Sequence, residues 1–112
     1  MAKFLVQYKS TVSAADQMAG ATPEQATAGM DAWMDWASRC GPAMVDMGSP
    51  LGAAKRLTAG TTSDIDNQVR GFSILQADSL DEAVKLLDGH PHFEMRGESS
   101  IEVSEFLPLP GM

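Results

Sequence analysis

Residues 3–9 (KFLVQYK) alternate so that Phe4, Val6 and Tyr8 share one face, the period of a half-buried β-strand, while Leu5 puts an apolar group on the other. A loop follows through Ser13-Ala14-Ala15-Asp16. Thr22-Pro23-Glu24-Gln25 then opens a helix: Thr22 caps, Pro23 suits the first helical position and Gln25 completes a capping box. At 100° per residue, Ala26, Gly29, Met30, Trp33, Met34, Trp36, Ala37 and Cys40 fall in an arc of roughly 160°, predicting one buried stripe. Gly41-Pro42 ends this helix.

The remaining elements follow from the same periodicities. Residues 43–47 (AMVDM) form a short apolar strand, followed by a turn-rich break from Gly48 to Gly52. Residues 53–59 make a further strand, and residues 60–67 (GTTSDIDN) a polar loop at the tip of a hairpin. Residues 69–77 (VRGFSILQA) form a strand with Phe72 and Ile74 on one face and Leu75 on the other. Ser79-Leu80-Asp81-Glu82 is a second capping box, with Ser79 as cap and Glu82 reaching back, and opens a helix whose Leu80, Ala83, Val84 and Leu87 share a face before Gly89 ends it. Residues 100–106 (SIEVSEF) alternate as a last strand. This order, βαββαβ with one extra short strand, predicts an α+β fold: a ferredoxin-like sandwich with two helices on one face of an antiparallel sheet.

Composition narrows what such a fold can do. One domain covers residues 1–112, since 44% hydrophobic and 21% charged residues are ordinary globular usage at this length. Fifteen acids against eight bases give a charge of −7, and Lys55-Arg56 is the one adjacent basic pair. That excludes nucleic acid, whose phosphates need clustered cations, and disfavours an anionic membrane surface. No run approaches the ~20 apolar residues of a membrane span. A single cysteine, Cys40, allows no internal disulfide, and the N-terminus has no signal-peptide pattern, so the cytoplasm is the expected compartment. A sheet covered by helices on one face only should be polar on the other. Leu5, Leu75 and Phe106 interrupt that polarity, which points to a homodimer formed by packing two sheet faces together.

Both histidines lie in Asp88-Gly89-His90-Pro91-His92-Phe93-Glu94. Pro91 disfavours helix at His90, so the segment is expected to be extended, with His90, His92 and Glu94 projecting to one side. Imidazole near neutral pH serves as general acid or base, most effectively with a carboxylate to orient it. His90 and His92 are the candidate catalytic residues, with Asp46 or Glu94 as orienter and Trp33, Met30 and Glu94 as candidate ligand contacts. The competing reading has the histidines capping a helix C-terminus or bonding backbone carbonyls. Trp33 and Trp36 on one helical stripe are read as core before they are read as a stacking platform. Neither metal nor any particular cofactor is assigned: H-x-H-x-E lacks the further ligand that a closed site needs.

The segments KFLVQYK at 3–9, SRCGPAMV at 38–45 with Gly48 and Leu51, GFSILQADSLDEA at 71–83 and SIEV at 100–103 together resemble the YCII-related family. The resemblance implies a small dimeric α/β barrel of the ferredoxin-like superfamily, binding or transforming a small molecule. The alternative is a non-catalytic, ligand-binding or accessory module. Members carry an Asp–His pair, with histidine on the first long helix and aspartate before a proline after the second. Here those positions are Met30 and His90, so that pair is not carried over.

Overall fold

Strand β1 (Ala2–Ser10) is the centre of the computed structural model, which describes residues 1–95 and 97–111. Its alternation is realised as read: Phe4, Val6, Tyr8 and Ser10 are buried on one face, while Leu5, Gln7 and Lys9 are half-buried on the other. Short helix α1 (Ala14–Ala19) follows, then the long helix α2 (Pro23–Cys40) and a 3₁₀ turn at Gly41–Ala43. Strands β2 (Met44–Asp46), β3 (Ala54–Thr58), β4 (Thr61–Ile65) and β5 (Val69–Ala77) come next. Helix α3 (Leu80–Lys85), a 3₁₀ turn at Pro91–Glu94 and strand β6 (Ser99–Glu105) complete the chain.

β2, β5, β1 and β6, in that order, make one antiparallel sheet. Phe4 pairs with Leu75, and Tyr8 with both Gly71 and Ile101, so their side chains share a face. α2 and α3 both pack on that face. Val6, Tyr8 and Leu75 of the sheet meet Trp36 and Cys40 of α2, and Leu87 just past α3. Phe4 and Ala77 meet Ala83 of α3. The result is an α+β arrangement consistent with a ferredoxin-like fold. Among the described residues, no helix is long and apolar enough to cross a membrane.

The first capping box forms as expected, the second only in part. Thr22 Oγ1 accepts from the Gln25 N–H at 3.1 Å while Gln25 Oε1 accepts from the Thr22 N–H at 2.9 Å. Ser79 Oγ accepts from the Glu82 N–H at 3.1 Å, but the Glu82 carboxylate pairs with Lys85 at 3.4 Å instead of reaching back to Ser79.

Several expectations are corrected. Residues 14–19 are helical, not loop, because Ser13 caps them by accepting from the Asp16 N–H. The stretch 60–67 is not a loop: Thr61–Ile65 is a strand that pairs back on β3, with the turn at Ala59-Gly60, where Gly60 has φ +87°. The predicted apolar stripe of α2 is buried only in its second half. Trp36 and Cys40 are buried and Trp33 and Ala37 half-buried, whereas Ala26, Gly29, Met30 and Met34 are exposed. On α3, Leu80 and Val84 are likewise exposed. Periodicity marks which face can be buried; it does not say how far the sheet beneath extends.

Gly48 closes the β2 turn at φ +80°, and a Cβ there would run into the backbone carbonyl of Phe72. The Asp46 carboxylate holds the turn by accepting from the Gly48 N–H at 2.8 Å. Overpacking of about 1–3 kcal/mol adds to the left-handed penalty of about 1–2 kcal/mol. Gly48→Ala is therefore expected to lower stability by roughly 2–5 kcal/mol in urea denaturation. A midpoint equal to that of the unsubstituted chain would contradict this placement.

Candidate functional site

The site forms where the chain leaves α3. Gly89, at φ +68°, turns the backbone, and His90 follows in an extended conformation at φ −62°, ψ 138°. Pro91 then starts a 3₁₀ turn, because its fixed φ suits a first helical position and it has no N–H to satisfy. The segment is thus not extended through Glu94, as spacing had predicted. His90 caps the turn instead: its Nδ1 accepts from the His92 N–H at 2.9 Å.

Both imidazoles are buried, each about 1% exposed. His90 sits in an aromatic cage. Tyr8 stacks on it with centroids 4.8 Å apart and planes at 28°. Trp33 and Trp36 meet it edge-on at 4.5 and 4.3 Å. Two of these walls are themselves anchored. Trp36 Nε1–H donates to the Leu86 carbonyl at 2.7 Å, and the Tyr8 hydroxyl donates to Ser73 Oγ at 2.8 Å, which in turn donates to the Met47 carbonyl at 2.8 Å. Burial pushes the Tyr8 phenol well above its ordinary range, so it stays protonated.

The hydrogen bonds determine the tautomers. A neutral imidazole has one donor and one acceptor nitrogen. His90 Nδ1 accepts, so its proton is on Nε2. His92 Nε2 lies 2.8 Å from the Lys9 carbonyl, which can only accept, so His92 also carries a proton there. The difference lies in the partners. His92 is tied to the end of β1, whereas His90 Nε2–H is buried with no hydrogen-bond partner among the described residues. Desolvation, reinforced by His92 and Arg39, depresses His90 to about 3. It is neutral at any physiological pH.

The other residues singled out in the sequence are placed as follows. Trp33 is half-buried and forms one wall of the cage; Met30, one turn earlier on α2, is 57% exposed. Glu94 is exposed on the 3₁₀ turn. Asp46 is not brought to the histidines. Its ladder partner is Ile74, which lies on the opposite face of the sheet from Tyr8 and Leu75. Among the described residues, neither histidine pairs with a carboxylate, and no group of three His, Cys, Asp or Glu side chains could hold a metal ion. Sequence reasoning missed Tyr8 as a wall of the site. Its signal was an aromatic with a polar tip on the inward face of a central strand.

The model of the YCII-related domain matches residues 21–107. The chain belongs to the YCII-related family. The matched span of this YCII-related chain includes α2, α3, both histidines and β6, but not β1, which supplies Tyr8. Among solved structures, the chain is similar to 5-chloro-2-hydroxyhydroquinone dehydrochlorinase (TftG) from Burkholderia phenoliruptrix AC1100, in complex with 2,5-dihydroxybenzoquinone. The two are 18% identical, with 89% of this chain and 90% of that chain covered, at a TM-score of 0.44. No curated protein matches the chain.

Proposed function

We propose that this YCII-related protein binds a small molecule at the aromatic cage and recognises it through the Nε2–H of His90. One observation carries the reading: a buried, neutral imidazole with a committed Nδ1 and an unpartnered Nε2–H. Leaving such a donor unmade costs about 1–3 kcal/mol, which a ligand oxygen in that position recovers. Tyr8 and Trp36 are buried and Trp33 is half-buried, so Trp33 is the wall that has to move for a ligand oxygen to reach the Nε2–H. The chemistry such a donor supports is polarisation of a carbonyl, or stabilisation of negative charge developing on an oxygen. A proton-carrier role for His90, expected from the sequence, is replaced here by a donor role, because the lone pair of Nδ1 is already used and protonation is suppressed. Asp46 takes no part.

A second reading is favoured by the same two hydrogen bonds. His90 capping the 3₁₀ turn and His92 tethered to Lys9 are what a non-catalytic module would use to complete its fold. His90→Asn separates the two readings, since asparagine Oδ1 can still cap the His92 N–H. A fragment set of small carbonyl and carboxylate compounds is expected to shift the His90 imidazole resonance, and His90→Asn is expected to lose those hits by about tenfold or more in affinity while remaining folded. Hits that bind His90→Asn equally well, or none that moves the imidazole, would favour the second reading.

We further propose a homodimer in which two sheets pack face to face, completing a dimeric α/β barrel. Leu5 and Ile74 are cross-strand partners and Phe72 pairs with Gln7, so the face away from the helices presents a half-buried apolar patch of Leu5, Phe72 and Ile74. Leu75, expected among the residues of that face, is instead buried under the helices.

A further inference from the structure

The hairpin of β3 and β4 stands apart from the rest of the molecule. Its ladder runs from Ala54 opposite Ile65 to Thr58 opposite Thr61 and forms a sheet of its own. Only Ala54 and Ile65, at the base, are partly covered, and Leu57 is 73% exposed. The protrusion shows in the dimensions of the molecule, 49 × 44 × 19 Å, and in a radius of gyration of 15.5 Å. A compact chain of this length has a radius of about 13 Å. An isolated two-stranded hairpin is marginal in water at best. This one needs a surface to lie on.

We propose that the hairpin is an arm that clasps a second copy of the same chain, each protomer lending one arm and receiving another. This rests on the homodimer reading above and adds to it the element that makes the dimer stable. The sheet face alone is too small for a stable dimer. With strands about 4.8 Å apart and a rise of about 3.3 Å per residue, the open face of the four-stranded sheet offers roughly 440 Å². A stable interface needs about 800 Å² per partner. One face of the arm, five residues on each strand, adds roughly 160 Å². Under twofold symmetry every protomer contributes that area twice, once as donor and once as receiver, which brings the interface to about the required size.

The charge of the arm also differs in sign from that of the body. Residues 54–65 carry Lys55, Arg56 and Asp64, a net +1, leaving −8 on the rest of the chain. Lys55 is paired with Asp64 along the arm at 2.6 Å, and Arg56 forms no ion pair among the described residues. Two bodies of the same negative sign repel, and a cationic arm laid on the partner's acidic body opposes that repulsion.

Sedimentation of the full chain between about 1 and 100 μM tests this, together with hydrogen exchange of the arm amides. The expected result is a dimer whose dissociation constant rises about tenfold or more in Arg56→Glu and in Ser63→Asp, the cross-strand neighbour of Arg56 on the same face of the arm. The amides of residues 54–65 should be protected at high concentration and exchange freely on dilution. Ile74→Asp tests the sheet face separately. If Ile74→Asp dissociates the dimer while both arm variants leave it unchanged and the arm amides exchange freely, the arm is overturned and the sheet-face dimer stands. If the arm variants dissociate it and Ile74→Asp does not, the arm stands and the sheet-face reading falls. A chain that remains an 11.9 kDa monomer at the highest concentration overturns both.

Discussion

Trp36→Ala is expected to destabilise the protein by about 3–5 kcal/mol, the range for truncating a large buried aromatic. Trp36 is 1% exposed, packs in the cluster with Val6, Tyr8, Leu75 and Leu87, and forms a wall of the His90 cage. Its loss also strips the Leu86 carbonyl of the indole donor at 2.7 Å. Against a total stability of about 5–15 kcal/mol, this removes a large part of the margin. Thermal unfolding should show a fall of roughly 10 °C or more. Met34→Ala is the control. It lies on the same predicted stripe but is 50% exposed, and should change stability by no more than about 0.5 kcal/mol. Equal effects at the two positions would contradict the placement of the helix on the sheet.

The second large effect is in pH. Unfolded His90 takes up a proton near its ordinary 6.5, whereas burial, His92 and Arg39 hold the folded residue to about 3. Between those values the unfolded chain binds more protons than the folded one, so stability falls as pH falls. The contribution is fully present above pH 6.5 and declines by about 1.4 kcal/mol per pH unit below it, until pH nears the folded value. Carboxylates add their own acid sensitivity. Asp66, held low chiefly by its hydrogen bond from Arg70, loses that pair at more acidic pH. His90→Asn retains those groups and removes the imidazole. The stability difference between the unsubstituted chain and His90→Asn, followed by urea denaturation from pH 7.5 to 4.5, should therefore shift by about 2–3 kcal/mol against the histidine protein. A pH-independent difference would show that His90 titrates alike folded and unfolded.

Local signals in the sequence proved informative where the physics is local. The Thr22-Pro23-Glu24-Gln25 box, the Ser79 cap and the alternation of β1 and β5 each involve neighbours a few residues apart, and each forms as read. What escaped depends on distant partners. β4 is Thr-Thr-Ser-Asp-Ile and has no apolar face, because the arm has no core on either side within the chain; its strand character comes from pairing with β3. The stripe from Ala26 to Met30 has the right spacing but overhangs the sheet. The histidines were legible as a pair, but not their geometry. Spacing of two suggested convergence in an extended chain, while Pro91 and the Nδ1 cap fold the segment into a 3₁₀ turn. The cage around His90 gathers positions 8, 33 and 36, which no short motif joins to position 90.

The proposed site depends on the protonation of one side chain. Long-range ¹H–¹⁵N spectra of the two imidazoles, recorded from pH 8 to pH 5, report it directly. The predicted result is a His90 ring with its proton on Nε2 and a bare, hydrogen-bonded Nδ1, unchanged across the whole range. A His90 ring that carries its proton on Nδ1, or that titrates near pH 6.5, would contradict the neutral buried donor on which the proposed site is built.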